Sequence, residues 1–248
     1  MSLVAKLLCL VFMLGGGLSV QARDLYILVL GEGAAVNCNA RSLGNAAGVL
    51  IVSTEHDLAG CRRGSPWISL GQSLIHQGAA QRVVFVPIPL SGARVQDWRA
   101  GGRDAGLLNA AVDKAIAQNM VFDYAFWQQG FSDSRTDGAS YRNDLRTVIR
   151  SISLKIKIRK WLVAQGGGCV PGGSPEIAAI QREVGLAHAI NRFAGPNLTE
   201  LAAVEVSADC TFSTGGQRKA ARLWQASMRM ADVDSENFQK ESLLYYFK

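Results

Sequence analysis

Short, almost wholly apolar runs alternate with helix-length segments along this chain, and that alternation restricts its fold more than any other feature of its 248 residues. The first run, Leu25-Tyr26-Ile27-Leu28-Val29-Leu30, ends at Gly31-Glu32-Gly33; the others are Arg82–Ile88, Phe122–Trp127 and Lys160–Ala164. Runs that are apolar at nearly every position, rather than at every second one, are strands covered on both faces. Helical spacing predicts helices over Trp67–Gln77, with apolar residues at Trp67, Leu70, Leu74 and Ile75, and over Leu107–Gln118 and Tyr141–Ser153. Two more are expected at Pro175–Val184 and Gly215–Arg229, with a short extended segment at Glu200–Val206. Strands separated by helices make a parallel sheet between two helical layers. There is no internal repeat and no low-complexity linker, so one domain is expected over 23–230; the stretch 231–248 reads as a tail without an assigned structure.

The first residues do not belong to that domain. Lys6 precedes the apolar run Leu7–Leu14, glycines follow it, and Val20 and Ala22 are the small residues at −3 and −1 of an expected cleavage after Ala22. This is the pattern of a signal peptide, and the run is shorter than the roughly 20 residues of a membrane-spanning helix. The expectation is a periplasmic or secreted protein with no membrane span after cleavage. Loss of Lys6 leaves 25 basic against 20 acidic side chains, a net +5. A basic balance suits any polyanion. An ordinary solvated surface is the preferred reading, and nucleic acid is not an expected partner. Cys38, Cys61, Cys169 and Cys210 remain after cleavage. An even number in an exported chain suits two disulfides, with 38–61 and 169–210 the pairing suggested by sequence order and three connectivities formally open. No close Cys pair or Cys–His spacing suggests a metal, and no cofactor motif is present.

In an open parallel sheet the ligand site lies outside the carboxyl ends of the strands. Here the loops concerned run Gly31-Glu32-Gly33-Ala34-Ala35-Val36-Asn37, Leu90-Ser91-Gly92-Ala93-Arg94-Val95-Gln96-Asp97-Trp98, Trp127-Gln128-Gln129-Gly130-Phe131-Ser132-Asp133 and Ser207-Ala208-Asp209-Cys210-Thr211-Phe212-Ser213. In this order and spacing they resemble the four blocks of the sialate O-acetylesterase-like branch of the SGNH hydrolases, a group of carbohydrate esterases. In that branch the blocks read Gly-Gln-Ser-Asn-Ala, Gly-Gly-Thr followed by a tryptophan, Trp-His-Gln-Gly-Glu-Ser-Asp, and Asp-x-x-His-Phe. The resemblance covers roughly residues 24 to 226. It implies a flavodoxin-like three-layer α/β/α sandwich.

Such an esterase needs a serine to attack the ester carbonyl, a histidine to take its proton, an aspartate to orient the histidine, and donors for the oxyanion. At the matching positions this chain has Gly33 for the serine, Ala208 for the aspartate and Thr211 for the histidine; Ala34 replaces asparagine and Phe131 the acidic residue of the third block. The resemblance leaves Gly92, Gly130 and Asn37 as oxyanion or cleft groups. Trp98, Trp127, Gln128 and Gln129 have the ring faces and amides a sugar would use, although Trp127 also reads as a core residue at a strand end. The histidines, His56, His76 and His188, all fall outside the four loops, and Asp209 would orient a histidine that is absent.

Three readings follow. The first is a catalytically degenerate carbohydrate-esterase homologue whose cleft holds an acetylated or anionic polysaccharide or a polysaccharide-processing protein. The second is an active esterase using Ser132 or Ser213 as nucleophile. The third is a structural exported protein. The basic run Lys155–Lys160, with Arg146 and Arg150 upstream, is expected to be a solvated connection; a polyanion-binding strip is its alternative.

Overall fold

The structure, a computed structural model, describes residues 23–32, 35, 46–52, 66–167, 173–207 and 210–246. Among the described residues six strands form a single parallel sheet: β1 (Asp24–Gly31), β2 (Val49–Ile51), β3 (Arg82–Pro89), β4 (Phe122–Gln128), β5 (Ile158–Gln165) and β6 (Arg192–Asn197), in the spatial order β2-β3-β1-β4-β5-β6. The α-helices of the described residues that cover it are α1 (Pro66–His76), α2 (Ala105–Ala117), α3 (Gly138–Lys155), α4 (Pro175–Gly185) and α5 (Thr214–Tyr246). This is the expected α/β/α sandwich.

Alternate residues of each strand enter opposite cores, which is why the strands read as unbroken apolar runs. Leu28 and Leu30 of β1 join Leu108 and Val112 of α2, Leu145 and Ile149 of α3, and Ile180 of α4. Ile27 and Val29 face the other way, toward Trp67 and Leu70 of α1 and Trp224 and Met228 of α5. On that second side Trp224 stacks on Phe126 with ring centroids 4.2 Å apart, and Trp67 meets both. Truncating a buried aromatic in such a cluster costs about 3–5 kcal/mol.

Two strands escaped the sequence reading. β2 has only Val49-Leu50-Ile51, and β6 reads Arg-Phe-Ala-Gly-Pro-Asn. Both lie at the sheet edges, where a three-residue run or a proline is tolerated. The expected extended segment at Glu200–Val206 is instead a 3₁₀ turn at Leu198–Glu200 and a further turn, with only Val206 in an antiparallel bridge, to Phe212. The stretch from Asp232, unassigned from sequence, continues α5 to Tyr246.

Register decides where the loops emerge. Gly31 lies opposite Pro89 on one side and Gln128 on the other, so β1, β3 and β4 deliver their following loops at one level. The chain crosses from β3 over β1 to β4 at this point, which is the switch point where parallel sheets open a crevice. Gly31 permits the close approach: a Cβ there would lie 1.9 Å from the Gln128 carbonyl oxygen.

Candidate functional site

The loop after β1 is held to the loop after β4 by one buried carboxylate. Glu32, 5% exposed, accepts the Gly130 N–H at 2.9 Å and the Ser132 N–H at 3.1 Å through Oε1. Its Oε2 accepts the Ser132 hydroxyl at 3.0 Å. A buried carboxylate is tolerated when its lone pairs are engaged in this way. The same loop is fixed from the helix side, where the Trp67 indole donates to the Ala35 carbonyl at 2.7 Å.

A second buried carboxylate, Asp133, ties the loop after β4 to the loop after β3. It accepts the Val95 N–H at 2.7 Å, the Thr136 hydroxyl at 2.6 Å and the Gln129 amide. Gln129 also donates to the Ala93 carbonyl at 3.2 Å, and its Oε1 accepts the Tyr141 hydroxyl at 3.1 Å. Tyr141 in turn accepts from Gln181 at 2.8 Å, and Gln181 accepts the Gly166 N–H at 2.7 Å. Burial pushes the Tyr141 hydroxyl well above the usual tyrosine range, so it remains a neutral donor in this network. Gly130 enters it with φ +140°, a conformation that favours glycine, and with no space for a Cβ beside the Gln181 amide.

This geometry corrects several expectations. Trp98 and Trp127 are 1% and 0% exposed and meet edge to face at 5.2 Å, so their rings pack the core and present no face to a sugar. Trp127 is a residue of the central strand β4, and the 3₁₀ turn Val95–Trp98 brings Trp98 against it. Gln128 and Gln129 are fully buried as well and are not sugar contacts. Gly130, an oxyanion or cleft position by the resemblance, has its N–H taken by Glu32. Gly92 sits exposed in the turn closed by Ala93 N–H to the Leu90 carbonyl, with φ +69°, and no described group accepts from its N–H.

Ser213 is not poised as a nucleophile. Its hydroxyl accepts the Gly216 N–H at 3.2 Å and its carbonyl the Gln217 N–H at 2.8 Å, so it caps the first turn of α5. Thr211 belongs to a tight turn in which its carbonyl accepts the Ser207 N–H and hydroxyl. Cys210, at φ +65°, is disulfide-bonded. Its partner, with Cys38, Cys61, Cys169, Gly33, Asn37, Ala208, Asp209 and His56, lies outside the described residues. The two described histidines are at the other end of the sheet. His76 closes α1 ahead of β3, and His188 precedes β6 and stacks on Phe193 at 5.0 Å.

Gln128 has a feature that sequence could not reveal. Both polar atoms of its amide are buried without a hydrogen-bond partner. Among the described residues no cluster of His, Cys, Asp and Glu suits a metal ion, and no helix is long and apolar enough to cross a membrane. The basic run is not a continuous strip. Arg159 and Lys160 reach Asp123 and Asp232 at 3.7 and 2.6 Å, Lys155 donates to Asn109 and Arg146 pairs with Glu183.

No protein-family model matches the sequence, and no curated protein matches it. Solved structures do match the fold. A carbohydrate acetylesterase from Xanthomonas citri superposes with a TM-score of 0.63 at 12% identity, over 83% of this chain and 56% of that one. An acetyl xylan esterase from Geobacillus stearothermophilus gives 0.52 at 14% identity, over 83% of this chain and 95% of that one. A protein from Arabidopsis thaliana gives 0.57 at 15% identity, over 82% and 98%. The chain thus shares the α/β/α fold of these carbohydrate esterases.

Proposed function

We propose that this protein is an exported, catalytically inactive homologue of a carbohydrate O-acetylesterase, which keeps the crevice at the switch point and has lost the chemistry. The observation that carries this reading is the Glu32 carboxylate, which engages the Gly130 N–H, the Ser132 N–H and the Ser132 hydroxyl together. Donors that would hold an oxyanion, and a hydroxyl that would attack, are spent on an internal anion. No described histidine lies at this end of the sheet to move a proton to a leaving group. Gly33, Ala208 and Thr211 stand where the resemblance requires serine, aspartate and histidine.

The retained crevice holds an acetylated or anionic polysaccharide, or a protein that processes one. With the tryptophans in the core, contact falls to exposed loop groups, of which Phe131, 37% exposed, and the exposed Arg94 are the largest. An aromatic edge and a cation suit a sugar bearing carboxylates.

A second reading has one observation in its favour. The Ser132 hydroxyl donates to a buried carboxylate at 3.0 Å, the first half of a nucleophile–base pair. Fluorophosphonate labelling followed by peptide mass spectrometry separates the two. The proposal expects no adduct at Ser132 or Ser213, whereas stoichiometric labelling of Ser132 establishes an activated serine and rejects it.

A further inference from the structure

At the end of the sheet opposite the crevice, where β1, β4 and β5 begin, a cavity of about 320 Å³ opens between the strands, the end of α1 and the middle of α5. That volume is at the lower end of the range for small-molecule sites. Its charged lining is Arg23, Arg159, Lys160 and Arg229 against Asp123 and Asp232, four cations to two carboxylates.

The carboxylates are already engaged. Asp123 accepts from Arg23 at 2.7 Å and from the Tyr26 N–H at 3.0 Å, with Arg159 at 3.7 Å. Asp232 takes the Tyr124 hydroxyl and the Lys160 ammonium. What remains is donor capacity. Arg229 is exposed and has no acidic partner among the described residues. Gln225, 6% exposed, forms part of the wall; its Oε1 accepts the Ser73 hydroxyl at 3.0 Å, while its Nε2 is buried with no partner. An unpaired buried amide N–H costs about 1–3 kcal/mol unless something accepts from it. The rest of the wall is apolar at Leu25, Leu74, Ala79 and Met228 and polar at Gln77 and the Tyr124 hydroxyl. Surplus donors and surplus positive charge select an anion, and an apolar wall selects one with a hydrocarbon part.

We propose that this cavity is a binding site for a small organic carboxylate, its charge taken by Arg229 and the Gln225 amide and its hydrocarbon by Leu25, Leu74 and Met228. The site is independent of the crevice. It shares no described residue with the loops that carry Glu32 and Ser132.

Isothermal titration of the purified protein at fixed ionic strength tests it, with sodium butyrate and sodium benzoate as probes and benzyl alcohol and inorganic phosphate as controls. Saturable one-to-one binding of at least one carboxylate is expected, weakened tenfold or more in Arg229→Gln and in Gln225→Leu. Arg229 is on the surface, so its variant keeps the fold even where that of Gln225 does not. Absence of saturable binding by either carboxylate, or affinity unchanged in Arg229→Gln, overturns the proposal. So does equal binding of benzyl alcohol, which removes the need for charge, or of phosphate, which removes the need for hydrocarbon.

Discussion

The Glu32 carboxylate accepts the Ser132 hydroxyl at 3.0 Å across two loops that are 100 residues apart in sequence. Together with the two backbone donors on Oε1 it holds the loop after β1 to the loop after β4. Glu32→Gln keeps an oxygen for both N–H groups and can donate to the rotated Ser132 hydroxyl, so it costs about 1 kcal/mol. Glu32→Ala strands three donors and costs about 3 kcal/mol or more. Urea unfolding of the two variants measures the difference.

Gly31 and Gly92 are both glycines of site loops, but they answer to different constraints. A Cβ at Gly31 collides with the Gln128 carbonyl, a backbone atom that cannot yield without separating β1 from β4. Gly31→Ala is expected to lose about 3 kcal/mol or more, in the range of severe overpacking. Gly92 has a positive φ and open space around it, so Gly92→Ala carries only the left-handed backbone strain, about 1–2 kcal/mol. Thermal or urea unfolding should rank them in that order.

The Gln128 amide is buried with neither polar atom paired. Gln128→Met removes the polar group at similar volume and is expected to stabilise the protein by about 1–2 kcal/mol in urea unfolding. Destabilisation of that size would mean that the amide is bonded in solution.

Alkaline stability follows from two tyrosines. Burial pushes both Tyr124 and Tyr141 above the usual value of 10.0, with the bond to Asp232 adding to the effect at Tyr124. Below pH 10 folded and unfolded chains both hold these protons, and the pair contributes no pH dependence. Above it the unfolded chain releases protons that the folded chain keeps, so stability falls as pH rises, by about 1.4 kcal/mol per pH unit for each tyrosine. Urea midpoints at pH 9 and 11 should show this loss, and Tyr124→Phe should reduce its slope by about half.

The sheet was legible because strands packed on both faces leave a run with few polar positions, and β1, β3, β4 and β5 each carry one. Edge strands leave no such trace. In β6, Gly195 and Pro196 look like a turn; they fall where the register with β5 shifts, and the pairs of Ala194 with Val163 and Asn197 with Gln165 on either side carry the strand through them. The loop residues were harder to place, for a related reason. Trp98, Trp127, Gln128 and Gln129 were recognisable as a motif, but a motif does not say whether a side chain points into the crevice or beneath it. Trp127 and Gln128 are buried as part of the central strand β4, Trp98 is turned inward by the 3₁₀ turn after β3, and Gln129 is held by Ala93, Asp133 and Tyr141, of which Ala93 lies 36 positions away. The Ser213 cap, by contrast, had a local signal, a serine directly ahead of a helix. Nothing local marked Glu32 as the anchor of the third loop.

The most direct test of the account is acetate release from an aryl acetate and from an acetylated polysaccharide by the purified protein, beside a Ser132→Ala variant. The account predicts the buffer rate for both proteins on both substrates. Saturable turnover by the wild-type protein that disappears in Ser132→Ala would contradict it, and would make the Glu32–Ser132 pair the heart of an active site.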